Sequence, residues 1–191
     1  MRITGGEWRS RRLKGPGRGL ALRPTPDALR ERAFSVLGDR VRDAVVLDLF
    51  AGTGAIGFEA LSRGAARAVF VDRHHAAVRL VEANRAALCG GPVDRARVLR
   101  RTALQAIEEL DRAGERFQLL WADPPFEVWT DGLEAVAAAF RTGVLEPHGT
   151  ACLECPERAD VAAALPAGLE IERDLGGGAS RVVLLRLNVE R

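Results

Sequence analysis

The sequence predicts an α/β fold: a mainly parallel, seven-stranded sheet with helices on both faces and an antiparallel hairpin at its C-terminal side. Three observations predict it. Short apolar runs alternate with amphipathic stretches of helical spacing, the pattern of successive βαβ units. The first apolar run ends in a glycine-rich turn that opens a helix. The last two runs follow each other with only "GGGA" between them, too short for a crossover helix.

Each element has a local cause. In "PTPDALRERAFSVLG", Thr25 is placed to cap a helix and Pro26 suits its first turn. Leu29, Ala33, Phe34 and Leu37 share one face before Gly38 ends it. "AVVLDLF" is a strand and "AIGFEALSRG" the helix after the turn. "RAVFVD" pairs with the helix "HAAVRLVEANRAAL", where Ala77, Leu80, Val81, Asn84 and Leu88 recur at helical spacing. "ARVLR" precedes "TALQAIEELDRA", and "FQLLWAD" precedes "TDGLEAVAAAFRTG". "GTACLEC" is a fifth strand, followed by a short helix around 160–165, and "GLEIERDL" with "SRVVLLRLNV" forms the closing hairpin.

The 191 residues suffice for one core, with a boundary near residue 40 where a basic helical extension (1–40) meets an α/β body (41–191). No apolar stretch approaches the roughly 18 residues of a membrane span. The opening "MRITGGEWRSRR" has no apolar signal region, so the expectation is a cytoplasmic protein. Cys89, Cys152 and Cys155 suit no disulfide framework. A strand through "CLEC" would send its two thiols to opposite faces, as buried apolar residues rather than a redox or zinc pair. His74, His75 and His148 lie without carboxylates at metal spacing, so no metal is expected.

The net charge of +2 hides an asymmetry. Arg2, Arg9, Arg11, Arg12, Lys14, Arg18 and Arg23 face Glu7 alone within the first 23 residues, and the remainder is net acidic. A basic end on an acidic body is expected of a chain that docks a polyanion through that end.

"DLFAGTGAIG" carries Gly52, Gly54 and Gly57 in G-x-G-x-x-G spacing, which alone admits a dinucleotide or another adenosine cofactor. Asp72, ending the second strand, is placed to accept from ribose hydroxyls. Asp48 puts negative charge beside the turn, which suits a ligand carrying an ammonium and a sulfonium better than a pyrophosphate. S-adenosylmethionine carries both. The bland alternative is that Asp48 and Asp72 only cap the backbone that follows them.

"LLWADPPF" supplies the second half of a site. Asp123 stands at the carboxyl end of the fourth strand, the side where ligands bind in open parallel sheets. Pro124 and Pro125 stiffen the following backbone, and Phe126 offers a ring on which a flipped base can stack. A carboxylate oxygen and a fixed peptide carbonyl can hold the hydrogens of an exocyclic amine, a poor nucleophile because its lone pair is delocalised into its ring.

Together "RITGGEWRSRRL", "LRPTPDALRERAFSVL", "LDLFAGTGAIGFEALSRGA" and "DPPF", in this order, resemble the RsmD family of 16S ribosomal RNA guanine-N2 methyltransferases. The resemblance runs from Arg2 to Phe126. It implies a class I, Rossmann-like methyltransferase fold, S-adenosylmethionine as donor, and guanine 966 of 16S rRNA as acceptor. The implied partner is the small ribosomal subunit or its assembly intermediate, met by a monomer. By position, Asp48, Phe50, Ala51, Gly52, Thr53 and Gly54 would line the cofactor, with Asp72 and Arg73 at its ribose. Asp123, Pro124, Pro125 and Phe126 would hold the guanine amine. Arg2, Trp8, Arg9, Arg11, Arg12, Lys14, Arg23, Thr25 and Arg30 would meet RNA. After the third strand relatives often carry Asp or Asn; here Thr102 leaves adenine recognition to its own side chain, to the Ala103 backbone N–H or to another contact. The rival readings are an amino-methyltransferase acting on DNA or adenine, a noncatalytic RNA-binding assembly factor, and an NAD-dependent oxidoreductase.

Overall fold

The computed structural model describes residues 1–15, 25–89, 95–176 and 178–188, with the backbone alone at Cys89. The elements run α1 (Asp27–Leu37), β1 (Val45–Leu49), α2 (Ala55–Ser62), β2 (Arg67–Val71), α3 (His75–Cys89), β3 (Ala96–Leu99) and α4 (Ala103–Arg112). They continue β4 (Phe117–Ala122), α5 (Trp129–Thr142), β5 (Leu145–Pro156), α6 (Val161–Ala164), β6 (Leu169–Leu175) and β7 (Ser180–Leu187).

The sheet order is β3-β2-β1-β4-β5-β7-β6. The first five strands in that order are parallel, and β7 is antiparallel to both β5 and β6. From β1 the chain winds outward to β2 and β3, then returns to place β4 on the other side of β1. That reversal opens a crevice at the carboxyl ends of β1 and β4. The hairpin is present, with β7 inserted between β5 and β6 so that β6 forms the edge.

Alternation along the strands separates two core layers. Val46, Phe70, Leu119, Trp121, Cys152, Val182 and Leu184 face α1, α2 and α3. Leu47, Leu49, Val69, Leu120, Ala122, Cys155, Val183 and Leu185 face α4 and α5. Cys152 and Cys155 are thus free thiols buried on opposite faces, as strand geometry requires. Burial pushes the Cys152 thiol far above its ordinary range, so it is inert. The side chain of Cys89 lies outside the described residues.

The first helix buries Leu29, Ala33, Phe34 and Leu37 and ends at Gly38 (φ +52°), where the chain reverses in a left-handed conformation. Phe34 stacks on Trp121 of β4, ring centroids 5.8 Å apart. Its start differs from expectation. Pro26 occupies the N-cap position with no side-chain cap, and Thr25 turns its hydroxyl toward Asp123 and Glu154 instead. Donating to a carboxylate gives the hydroxyl a charge-assisted hydrogen bond, stronger than the one it would accept from a helix N–H as a cap, so the tertiary partners win. The fifth strand starts four residues earlier than "GTACLEC", because an irregularity in its pairing with β4 accommodates Glu146 to Gly149.

Residues 1–13 pack as a loop closed by an Arg2–Arg12 bridge, with Ile3, Trp8 and Leu13 buried in the first core layer. The anchor is Glu59 of α2, fully buried. Its carboxylate accepts from Thr4 N–H (2.8 Å), Thr4 Oγ1 (2.7 Å) and Gly5 N–H (2.8 Å), and pairs with Arg30 (3.4 Å) and Arg63 (2.7 Å). The Trp8 N–H donates to Ser62 Oγ (2.8 Å), one helical turn further on. Among the described residues no helix is long and apolar enough to cross a membrane, and no group of three or more His, Cys, Asp or Glu could hold a metal ion.

Candidate active site

The turn after β1 is made by backbone conformation. Phe50 (φ +60°), Gly52 (φ +55°) and Gly54 (φ +78°) all adopt the left-handed region, unusual for a bulky residue such as Phe50. Strain of this kind is held in place by surroundings, here by hydrogen bonds from both sides. Ala51 N–H donates to the Val71 carbonyl (2.9 Å), and Gly52 N–H to Asp72 Oδ2 (3.0 Å). Gly57 has a different reason: a Cβ there would lie 2.3 Å from the Phe70 ring, so only glycine lets α2 approach β2 this closely.

Asp48 is buried and accepts from Gly57 N–H (2.9 Å) in the first turn of α2. Burial pushes its carboxyl up to about 8, against the pull of that hydrogen bond and with help from the Asp72 charge. Asp72 accepts from Gly52 N–H and, through Oδ1, from His74 N–H (2.8 Å). Both acids therefore organise backbone as the capping alternative holds. Each carboxylate oxygen of Asp72 has a second lone pair for a ligand hydroxyl.

The raised acidity range of Asp48 has a stability consequence. Between the ordinary carboxylate range, about pH 4, and about pH 8, the folded protein holds a proton that the unfolded chain has released. Stability of the ligand-free protein is therefore expected to fall as pH rises through that window. Asp48→Asn should lessen the fall, as measured by thermal melting at about pH 5 and about pH 8. An equally steep fall in the variant would show that Asp48 is not its source.

Across the crevice, Asp123 N–H reaches the Leu49 carbonyl (3.4 Å), which ties the end of β4 to the end of β1. Its carboxyl is pushed well above the usual range by burial, then by the neighbouring Glu154 and Asp48. Thr25 Oγ1 stands 3.3 Å from Asp123 Oδ2 and 2.7 Å from Glu154 Oε2. Pro124 is buried against Gly132 of α5, where a Cβ would come within 2.7 Å of the proline ring. Pro125 is exposed, and its carbonyl starts the 3₁₀ turn Phe126–Val128 by accepting from Val128 N–H (2.9 Å). Phe126 is half-buried.

The structure thus gathers Asp48, Phe50, Ala51, Gly52, Thr53, Gly54, Asp72, Thr25 and Asp123 to Phe126 at the carboxyl ends of adjacent strands. Thr102 stands at the start of α4 with its hydroxyl accepting from Gln105 N–H (3.3 Å), and Gln105 returns the bond to Thr102 N–H (3.2 Å). Ala103, as the first helical residue, has an N–H with no acceptor inside the helix. Arg73 is exposed and donates to His74 (3.2 Å).

The basic residues fare differently from one another. Arg9, Arg12 and Lys14 are exposed, and Arg2 is exposed with a long pair to Asp27 (3.6 Å). Trp8 is buried against α2, so its ring is no surface for RNA. Arg11 donates to the Leu88 and Ala87 carbonyls (3.0 Å each) and caps the end of α3. Arg30 is fully buried and serves Glu59, Asp27 and the Thr25 carbonyl, so its charge is spent inside the fold. Arg23 lies outside the described residues.

Two residues of the site escaped the sequence reading. Glu154 is buried on β5 inside "CLEC", where a lone acid in an apolar strand was the available signal. Asn84 was read as one more residue of an apolar face. Its amide donates to the Thr53 carbonyl (2.9 Å) and the Lys14 carbonyl (3.1 Å) and accepts from Lys14 N–H (2.7 Å). It ties the basic segment to the glycine turn.

The family model described as Conserved hypothetical protein 95 matches residues 1–186. The chain belongs to this family, the RsmD family. Among RsmD relatives, Ribosomal RNA small subunit methyltransferase D of Escherichia coli is 40% identical over 126 residues, 66% of this chain. The matched stretch spans 60% of that relative's length. The solved structure of yhhF from Escherichia coli is 29% identical, with a TM-score of 0.80 over 100% of this chain and 99% of that one. The methyltransferase SMU.776, solved in complex with SAH, shares the fold at 13% identity and a TM-score of 0.65, over 80% of this chain and 48% of its own. This chain has the class I S-adenosylmethionine-dependent methyltransferase fold.

Proposed function

We propose that this protein transfers a methyl group from S-adenosylmethionine to the exocyclic N2 amine of guanine 966 in 16S rRNA, within the small ribosomal subunit or its assembly intermediate. The observation that carries the reading is the gathering of Asp48, Asp123 and Glu154 around the carboxyl ends of β1, β4 and β5, beside the glycine turn. Carboxyl groups gathered this closely and shielded from water are costly to ionise together, and a cationic ligand offsets that cost. The residues fit the donor: Asp48 and the turn from Phe50 to Gly54 would meet its amino-acid end, Asp72 its ribose, and Thr102 with the Ala103 N–H its base. When bound, S-adenosylmethionine supplies an electrophilic methyl on a sulfonium.

The chain's own work is positional. Asp123 and the Pro124 carbonyl accept from the two amine hydrogens, and Phe126 stacks on the extruded base, a contact worth about 1–3 kcal/mol in single-strand binders. Holding amine and methyl at attack distance lowers the barrier by up to about 7–11 kcal/mol, so no strong base is needed. The names of the relatives and the family membership support a methyltransferase acting on ribosomal RNA. The deciding experiment incubates the protein with labelled methyl donor and undermethylated small subunits and maps the modified nucleotide. Label on another nucleotide, or on free DNA instead, would replace this reading.

With Trp8 and Arg30 buried, and Arg11, though exposed, engaged by the carbonyls at the end of α3, the exposed cations Arg9, Arg12 and Lys14 form the RNA-contacting set in this proposal. Reversing those three to Glu is expected to raise KM about tenfold or more at low salt. It should also flatten the salt dependence of binding by about two units, since each lost phosphate contact removes roughly 0.7–0.9. A KM indifferent to the reversal would remove the N-terminal segment from docking.

A further inference from the structure

Methylation of an amine releases a proton, and Asp123, the half-buried acid placed to take it, is backed by two buried polar groups, Thr25 and Glu154. The structure holds a route. Thr25 Oγ1 is 2.7 Å from Glu154 Oε2 and 3.3 Å from Asp123 Oδ2, and Glu154 is buried. A hydroxyl has one proton to give and lone pairs to accept with. The short contact takes the proton toward Glu154. The longer one then becomes a hydrogen bond only when Asp123 is itself protonated and donates to Oγ1. The arrangement is therefore matched to the state in which Asp123 has just received a proton.

We propose that Thr25 and Glu154 form a proton relay behind Asp123, with Thr25 the conduit and Glu154 the resting place of the proton that the methylated amine releases. This rests on the amine-methylation reading above. The nitrogen lone pair forms the bond to the methyl carbon, and the pair of the carbon–sulfur bond stays on sulfur. The N–H bond breaks, its electron pair stays on nitrogen, and an O–H bond forms on Asp123. Asp123 passes this proton to Thr25 Oγ1 as the Thr25 hydroxyl proton moves to Glu154. Asp123 ends as a carboxylate, ready to accept again, and Glu154 ends as a carboxylic acid. One carboxylate charge is neutralised as the sulfonium charge disappears, so the net charge of the crevice is the same before and after.

Among the described residues the groups facing Asp123 are Asp48 from β1, Glu154 from β5 and the Thr25 hydroxyl ahead of α1, with Arg30 of α1 donating to the Thr25 carbonyl (3.4 Å). Their fields act in wild type and in Thr25→Val alike, since that substitution keeps volume and both acids but removes the conduit. Sequence offered no hint of the relay, because Thr25 and Glu154 are 129 residues apart.

The test compares wild type, Thr25→Val, Thr25→Ser and Glu154→Gln. Single-turnover methyl transfer to small subunits is followed across pH, with calorimetric binding of S-adenosylmethionine as the control for folding. Thr25→Val and Glu154→Gln should each slow transfer by about tenfold or more, and Thr25→Ser should restore most of the rate. A second readout needs no turnover: carboxyl carbon NMR of the ligand-free protein should show Asp123 titrating at lower pH in Glu154→Gln than in wild type. Transfer by Thr25→Val at the wild-type rate and with an unmoved pH profile overturns the relay. If Glu154→Gln binds no cofactor, the Val and Ser variants decide alone. If wild type methylates no guanine of 16S rRNA, the amine reading falls. The NMR titration then still tests the coupling, and an unmoved Asp123 overturns it as well.

Discussion

Asp123→Ala is expected to lower turnover by about a hundredfold or more while S-adenosylmethionine affinity stays nearly unchanged. Asp123 stands at the end of β4, bonded through its backbone to Leu49, and its side chain faces Thr25 rather than the glycine turn. Its loss therefore leaves the hydrogen bonds of Asp48 and Asp72 to Gly57 and Gly52 in place. In the proposed reaction what disappears is the acceptor that orders the amine, and misplacing a reacting group by about 1 Å costs on the order of 10²-fold. An interaction made with the reacting group lowers kcat and kcat/KM together. Steady-state kinetics and calorimetry on the same preparation check this. Equal losses of turnover and of cofactor binding would show that Asp123 holds the fold of the crevice rather than the substrate.

The second large effect belongs to a residue far from the chemistry. Glu59→Ala should destabilise the protein by about 3–5 kcal/mol, because it leaves the fully buried Arg30 guanidinium without its fully buried carboxylate partner. The same carboxylate holds Thr4, Gly5 and Arg63, so the N-terminal segment loses its anchor along with α1. For a domain of this size the loss corresponds to a melting temperature lower by roughly 10 °C. Limited proteolysis should then cut within the first 15 residues, and affinity for the small subunit should fall. A melting temperature within about 2 °C of wild type would mean that Asp27 and the Arg2 and Thr25 carbonyls suffice to compensate Arg30.

Both predictions trace to how differently the parts of the chain could be read. Asp48, Gly52 and Gly54 are legible because a strand, a turn and a helix follow one another within about ten residues, and Asp72 because it ends the next strand of the same βαβ unit. "DPPF" is legible for the same reason: a strand end and two fixed φ angles are local properties. Gly57 is half-legible. Its place in the motif is visible, while its reason, the Phe70 ring 2.3 Å from a would-be Cβ, comes from another strand.

The basic segment shows where composition misleads. Arg11, Arg30 and Trp8 look alike in sequence to Arg9 and Arg12 as surface candidates. Yet Arg11 ends on carbonyls of α3 and Arg30 inside a cage of Glu59, Asp27 and backbone oxygens, while Trp8 is buried beside α2. Charge counts register the cation and not the partner that neutralises it. Thr25 is the same lesson at a helix start, where a local capping preference of about 1 kcal/mol yields to two acids delivered by distant strands.

By itself the sequence determined the alternation of strands and helices, the two-layer core, the glycine turn and the acidic corner at the end of β4, since each rests on periodicity or on dihedral restriction within a few residues. Tertiary structure alone decided that β7 enters between β5 and β6, that Glu59 and Asn84 bind the N-terminal segment to the body, and that Thr25 joins Asp123 to Glu154. The physical reason is the same in all three. Strand order and buried polar pairing depend on which surfaces meet across the fold, and a hydrogen bond between residues 129 positions apart leaves no local trace in either neighbourhood.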